Sequence, residues 1–594
     1  MLVRFTSGLL LLAAVVSPKA QAFSFLPPDR VHVDQKRGGP DVKLFADTLE
    51  ALQVMQQEYF QPWVGTWPSA IDWTAAVIGT HIAGALKSIS SGLEALQAHG
   101  INDDFRPTEN AISLYYTQLV GFYFGQDAFS LRTQAFDDML WVVLGWLDTI
   151  HFVKDHDKSK YGFSAEPYRG NGMSYEGWHG TVWVPAFAHR ARIFWHLAAV
   201  GWDTELCGGG MNWNPRLMPY KNAITNELYI AASISMYLGF PGDSNTEPFS
   251  NLPYTPDPEA PGERSGWKPR DPKYKQAAID GYRWLDSSGM LNEDGLFADG
   301  FHISGYNSGS NNTKCDERDE MVYTYNQGVL LSGQRGLYLA TGDTYYLQAG
   351  HNLIQNVIHA TGWDVRRDAP VDDLAKFPPG YAPMWRGLGR GGILEEACDM
   401  KATCSQDAQT FKGIWMHHFT IFCAPLDPPE QGRGGSEIPR REHTTACRRY
   451  YRWLKHNADA ARRTRDKSGR FGMWWTAGLL ASTSALNLHV TAESLPSMDH
   501  AVDYRNEGVP HDQQWMFDPD NLDSDERPRN ATLGSEQRPM HSNRRRGQAR
   551  SSDLNDRGRG RTVETQSGGL ALLRALWEIS NLPDALDTPR HRDM

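Results

Sequence analysis

Apolar residues recur every three or four positions through most of this chain, and that rhythm restricts it to a helical architecture. Residues 72–97 carry Trp73, Val77, Ile78, Ile82, Leu86, Ile89, Leu93 and Leu96, one apolar stripe sustained over several turns. Residues 43–60 repeat the pattern with Leu44, Leu49, Leu52, Met55, Tyr59 and Phe60. Similar periods lie near 109–125, 132–153, 187–199, 222–239, 273–288, 325–341, 343–359, 409–423, 443–463, 472–486 and 564–580. Gly or Pro breaks most connections, and alternating Val/Ile/Thr runs are few. About twelve helices with hardly any strand predict an all-α chain, a helical toroid rather than a four-helix bundle, although periodicity does not itself establish closure of the ring.

Three stretches interrupt the rhythm as long loop insertions. Residues 155–186 are rich in Gly and aromatics and are expected to form a lid or substrate wall, with Trp178 and His179 as candidate contacts. Residues 241–272 hold many Pro, Gly and Asp and read as a long loop. Residues 518–562 are rich in Arg, Asp, Ser and Gly, bury too little apolar surface to fold alone, and are expected to be a disordered insertion. The helical period resumes from Leu570 to Trp577, so 563–580 is expected to be a final helix of the same domain as 23–517, with 581–594 as a tail.

The first residues read as a secretory signal. Arg4 makes a short basic start, Leu9 to Val16 an apolar core, and Ala20-Gln21-Ala22 a cleavage site, so 1–22 is expected to be removed. Nothing later reaches a membrane-spanning length, and the charged end from Asp587 to Met594 lacks the tail that directs a GPI anchor. Neither a membrane span nor an anchor is therefore expected. Six Cys in a secreted chain are expected to pair. Cys398 and Cys404 flank a polar turn and pair most simply; Cys207–Cys315 and Cys423–Cys447 then use the remaining four. No CxxC pair is present, so zinc is a poor alternative, and no metal or cofactor is expected. Asn311 and Asn530 open glycosylation sequons. With 59 basic and 70 acidic residues, net charge −11, the chain has no basic field suited to nucleic acid. Its 20 Trp fit both core packing and stacking against sugar rings.

Asp137 and Asp138 stand inside an apolar run, Ala135-Phe136-Asp137-Asp138-Met139-Leu140-Trp141. Burying a carboxylate is costly, and two side by side repel, so their proton affinities should separate. One protonated acid beside one carboxylate is what a retaining glycosidase uses, with carboxyls about 5–5.5 Å apart. Asp-Asp also occurs at 103–104 and 372–373, so the dipeptide means little without its setting.

Four segments in order supply that setting: Phe136 to Trp141; Leu206 to Trp213 with Tyr220 to Leu228; Tyr323 to Leu331; and Cys404 to Asp407 with Phe411 to Ile414. Together they resemble glycoside hydrolase family 76, the endo-1,6-α-mannanase family, in a fungal-type member. The resemblance implies an (α/α)6 barrel, with Asp137 as nucleophile and Asp138 as general acid/base. It implies a secreted or cell-wall-associated enzyme acting on α-mannan or a mannose-containing wall glycan. Two other functions fit the same residues: a wall transglycosylase acting on mannose-bearing GPI-core glycans, and a non-catalytic mannan-binding protein. Trp73, Trp141 and Trp213 are candidate sugar platforms, although each also suits a core. Asn222, Asn226 and Glu227, then Tyr325, Asn326 and Gln327, either face the cleft or tie helices together. Gly208-Gly209-Gly210 is either a close backbone approach to ligand or a tight turn. His417-His418 reads as ordinary helix surface and core.

Overall fold

The computed structural model describes residues 39–101, 104–161, 177–245, 267–378, 380–426, 437–480, 501–506 and 553–582. Residues 1–22, read from sequence as a signal, Asn530 and most of 518–562 lie outside the described residues, as do 162–176 and 246–266 of the other two insertions.

Among the described residues six helices form an inner ring: α2 (Asp72–Ala98), α5 (Phe136–Tyr161), α7 (Ala223–Gly239), α9 (Tyr325–Thr341), α11 (Gln406–Cys423) and α14 (Val563–Ser580). Each packs on the next, and α14 returns to α2, so the ring closes. A second layer covers it: α1 (Val42–Tyr59) on α14 and α2, α3 (Arg106–Gly125) on α2, α6 (Val184–Ala199) on α5, α8 (Pro272–Ser287) on α7, α10 (Tyr345–Ala360) on α9, and α13 (Tyr451–Arg463) on α14. The short α4 (Ala128–Leu131) and α12 (Glu437–Arg449) are additions between layers. The result is the (α/α)6 toroid. Short antiparallel strands, β1 (Lys221–Asn222), β2 (Gly300–His302) and β3 (Glu317–Asp319), edge one rim. Among the described residues no helix is long and apolar enough to cross a membrane.

The two layers differ as their sequences do. Inner helices are buried nearly all round, α14 continuously from Val563 to Trp577, whereas α10 buries one stripe. Small residues let inner helices touch: a Cβ on Gly413 of α11 would lie 2.9 Å from the Gly568 Cα of α14. Inside the ring His417, buried with His418, bonds Asp148 at 2.9 Å and the Arg574 guanidinium at 2.9 Å. The pair is thus interior rather than part surface.

Four sequence expectations change. The 443–463 helix is two, broken at Tyr450, whose backbone (φ −79°, ψ −6°) directs its N–H to the Cys447 carbonyl. Residues 472–486 form no α-helix among the described residues; only Trp475–Leu479 turns, as a 3₁₀ segment. The apolar run misled there because its backbone is satisfied by side chains: Gln566 accepts from Phe471 N–H, Thr464 from Gly472 and Asn555 from Trp474. Residues 553–562, expected to be disordered, are ordered, with Arg561 paired to Asp553 at 2.6 Å. The 155–186 lid is partly core: α5 runs on to Tyr161, and a 3₁₀ turn (His179–Trp183) leads into α6. Trp178 is 1% exposed, its ring 4.6 Å from Tyr116 and 4.5 Å from His156, so it packs between α3 and α5 instead of meeting substrate.

Candidate active site

The N-terminal turns of four inner helices meet at one mouth of the ring: Trp73 from α2, Asp137 and Asp138 from α5, Tyr325 from α9 and Asp407 from α11. Free N–H groups and the dipole at helix N-termini favour acids there. Trp141 and Phe411, one turn further in, and Trp213 and Arg505 from loops complete a pocket of about 130 Å³. Trp73 and Trp141 stack with centroids 6.1 Å apart, and Tyr325 stacks flat on Phe411 at 3.9 Å. The Tyr325 hydroxyl is buried and has no hydrogen-bond partner among the described residues.

Asp137 and Asp138 are held differently. Asp137 Oδ2 accepts from the Trp213 indole N–H at 3.2 Å, and its Oδ1 from the Asp138 backbone N–H at 3.1 Å. Asp138 reaches back, as an acid at the third helical position does, and accepts from Ala135 N–H at 3.2 Å. The Trp213 loop is pinned to the same helix start, its carbonyl accepting from Phe136 N–H at 2.9 Å. Burial pushes Asp137 up to about 6, restrained by the Arg505 charge and by the N–H donors. Asp138 is driven well above the carboxylate range, first by burial and then by the Asp137 charge, with Asp407 adding to it. The acids therefore separate in proton affinity, Asp138 the stronger proton holder. The other Asp-Asp sites differ: Asp104 is paired with Arg106 at 2.8 Å, Asp372 with Arg386 at 3.0 Å, and Asp373 caps a turn.

Of the candidate site residues, Asp137, Asp138, Trp73, Trp141, Trp213 and Tyr325 come together in this pocket. Asn222, Asn226, Asn326 and Gln327 do not line it; all four are at most 1% exposed and are spent on scaffolding. Asn222 caps α7 through Thr225 N–H, and Asn226 brackets Met211, accepting from its N–H at 2.7 Å, which steadies the Trp213 loop. Asn326 donates to Asp299 at 3.1 Å, and Gln327 grips both backbone groups of Phe297. Glu227 is fully buried, and burial pushes its carboxyl well above the usual range. Gly208–Gly210 form a tight turn, all with positive φ, and a Cβ on Gly210 would meet the Trp284 indole at 2.5 Å.

Three lining residues were not among the site candidates: Asp407 and Phe411, named only within the fourth family segment, and Arg505. Placing the start of α11 at 409 left Asp407 in a loop. The signal was Ser405, which caps the helix by accepting from Ala408 N–H at 3.1 Å. Arg505 has no sequence signal, since its segment lacks any period. The cysteines join as Cys207–Cys315, Cys398–Cys404 and Cys423–Cys447. Two clusters of metal-compatible residue types, His351/His443/Cys447 and Cys398/Asp399/Cys404, contain only disulfide-bonded sulfurs, which have no thiolate to offer. Asn311 is exposed.

A model of the family described as glycosyl hydrolase family 76 matches residues 268–431, which contain Tyr325, Asp407 and Phe411 but not the Asp pair. The mannan endo-1,6-alpha-mannosidase DCW1 of Candida glabrata is 24% identical over 237 residues, 39% of this chain and 39% of the relative. The enzyme of the same name from Eremothecium gossypii is 21% identical over 318 residues, 47% of this chain and 61% of the relative. The chain thus spans about two fifths and three fifths of these curated relatives. An inactive variant of the α-1,6-mannanase GH76A of Salegentibacter sp. HEL1_6, solved with α-1,6-mannotetrose, is similar over 90% of this chain and 99% of that one, at 14% identity and TM-score 0.46. The chain is thus similar to glycosyl hydrolase family 76 over residues 268–431, and to fungal enzymes named mannan endo-1,6-alpha-mannosidase.

Proposed function

We propose that the protein is a secreted retaining glycoside hydrolase that cleaves α-1,6-mannosidic bonds in mannan. The observation that carries this reading is the Asp137–Asp138 pair, split in proton affinity, at the base of an aromatic pocket. Trp73, Trp141 and Trp213 line the pocket with aromatic surface suited to the C–H face of a sugar ring, and the Tyr325 hydroxyl is available to a sugar oxygen. The names of the curated relatives support the linkage. Three disulfides suit an oxidising, extracellular setting.

In this reading Asp138 donates its proton to the glycosidic oxygen as that bond breaks. Asp137, as the anion, attacks the anomeric carbon from the opposite face and forms a β-linked glycosyl-enzyme. Asp138, now a carboxylate, takes a proton from water; the water oxygen bonds to the anomeric carbon, Asp137 leaves as carboxylate, and the α-anomer is restored.

The test is incubation of the purified protein with α-1,6-mannan, following the first product by NMR. An initial α-anomer, lost in Asp137→Asn and Asp138→Asn variants that remain folded, supports the proposal. An initial β-anomer refutes retention. Elongated products with an added acceptor glycan, in place of free sugar, replace hydrolysis by transglycosylation on the same pair. Oligosaccharide binding without turnover at any pH refutes catalysis.

A further inference from the structure

Arg505 brings a cation into a pocket otherwise lined, among its charged groups, by acids: Asp137, Asp138 and Asp407. Its segment, 501–506, has no helix or strand of its own and is fastened to the rim of the ring at three points. Asp319 accepts from Val502 N–H at 2.9 Å, the Tyr323 hydroxyl donates to Asp503 at 2.7 Å, and Asn506 accepts from Ser405 N–H at 2.6 Å. Those anchors come from β3, from the approach to α9 and from the cap of α11, so the ring itself dictates where Arg505 sits. Its guanidinium lies over the Trp213 indole, 5.2 Å from the ring centroid. The same indole donates to Asp137 at 3.2 Å.

We propose that Arg505 is a positioning residue for the reaction: its guanidinium braces the indole that donates to Asp137 and sets a positive charge beside the pair, so that Asp137 is the carboxyl that reacts as the anion. This rests on the retaining mechanism proposed above. The Arg505 Nε has no hydrogen-bond partner among the described residues, and its charge is shared among several groups. Those facing it are Asp137 from α5, Asp299 from the turn before β2, and Tyr323 and Tyr325 at the start of α9. Asp138 feels it more weakly, and is opposed by both Asp137 and Asp407. The arrangement is asymmetric: the cation acts on Asp137, while the surplus negative charge falls on Asp138. Arg505 is the largest of the effects that hold Asp137 down against burial.

The test titrates the Asp137 carboxyl by carbon NMR in protein labelled at aspartate, its signal identified by its loss in Asp137→Asn. Two neutral variants, Arg505→Gln and Arg505→Met, keep the stem length, and Arg505→Lys keeps the charge. Nearby opposite charge shifts a carboxyl by about 1–3 units, so the Asp137 midpoint is expected to rise by about one unit or more in the neutral variants. In Arg505→Lys it returns most of the way, because the charge remains although the planar stack on Trp213 is lost. The acid limb of kcat/KM on α-1,6-mannan moves with the midpoint. An Asp137 midpoint unchanged in a folded neutral variant overturns the proposal, as does an equal rise in Arg505→Lys. Since the readout is one carboxyl, it stands apart from turnover: a wild-type protein that cleaves no mannan refutes the proposed function, and an unmoved midpoint refutes the role of Arg505.

Discussion

Lowering the pH below 6 should extinguish activity long before it unfolds the protein. In the proposed mechanism Asp137 must be ionised to attack, and burial has taken it from 3.8 to about 6. That rise of about two units opposes ionisation by about 3 kcal/mol, at 1.36 kcal/mol per unit. About one molecule in ten then holds the Asp137 anion at pH 5 and one in a hundred at pH 4, where an ordinary Asp is at least half ionised. Burial and the Asp137 charge raise Asp138 well above the carboxylate range, so its loss of a proton forms the alkaline limb. Initial rates of reducing-end release from α-1,6-mannan between pH 4 and 9 should fall about tenfold from pH 7 to 5 and about a hundredfold by pH 4. The stability sign is opposite. A carboxyl raised in the folded state contributes stability that is fully present below the unfolded value of 3.8 and lost as pH rises through about 6. Asp137→Asn should therefore resist urea better than the wild type at pH 7, by up to about 3 kcal/mol, while inactive. A kcat/KM that stays flat from pH 6 to 4 would refute the assignment of a raised Asp137.

Gly413→Ala places a methyl group 2.9 Å from the Gly568 backbone and should lower urea stability by about 1–3 kcal/mol, although Ala favours helix by about 1 kcal/mol; a net gain would mean that α11 and α14 are not in close contact. Burial lowers His351 to about 4 and His443 to about 3, in a chain where His351 bonds Tyr450 at 2.9 Å and His443 at 3.0 Å. Groups lowered on folding contribute stability above their unfolded value of 6.5, so Tm should drop as pH falls from 6.5 towards 3, and replacing both by Gln should flatten that slope. Trp73→Phe removes the donor to Asp407 at 3.0 Å and part of a stacking face; KM for mannan oligosaccharides should rise about tenfold with kcat less affected, and an unchanged KM would remove Trp73 from the sugar site.

How much of this was legible follows from the range of the forces involved. Helix periodicity is local, so the inner helices α2, α7, α9 and α14 begin and end within a residue or two of where their apolar stripes place them. The failure at 472–486 has the same origin in reverse: Phe471 to Trp475 are buried, but the side chains that accept from the Phe471, Gly472 and Trp474 N–H groups lie 8 to 95 residues away. The Asp pair was legible because a charge in an apolar run is a contradiction visible without coordinates. Trp73, Trp141, Trp213 and Tyr325 were legible as aromatics near motif residues, whereas Asn222, Asn226, Asn326 and Gln327 looked equally suited to the cleft. Only their hydrogen bonds, to a helix cap, a loop, Asp299 and Phe297, assign them to the scaffold.

The sequence by itself determined a helical chain, its inner and outer faces, and a pair of acids that could not be indifferent to burial. The tertiary structure alone decided what those acids are. Closure of the ring brought four helix N-termini to one mouth, set Asp407 near Asp138, and fastened Arg505 through Asp319, Tyr323 and Ser405 over the indole that serves Asp137. Charges act through space and fall off with distance, not with separation along the chain, so two adjacent and chemically identical carboxyls acquire different proton affinities only once the fold has placed their neighbours.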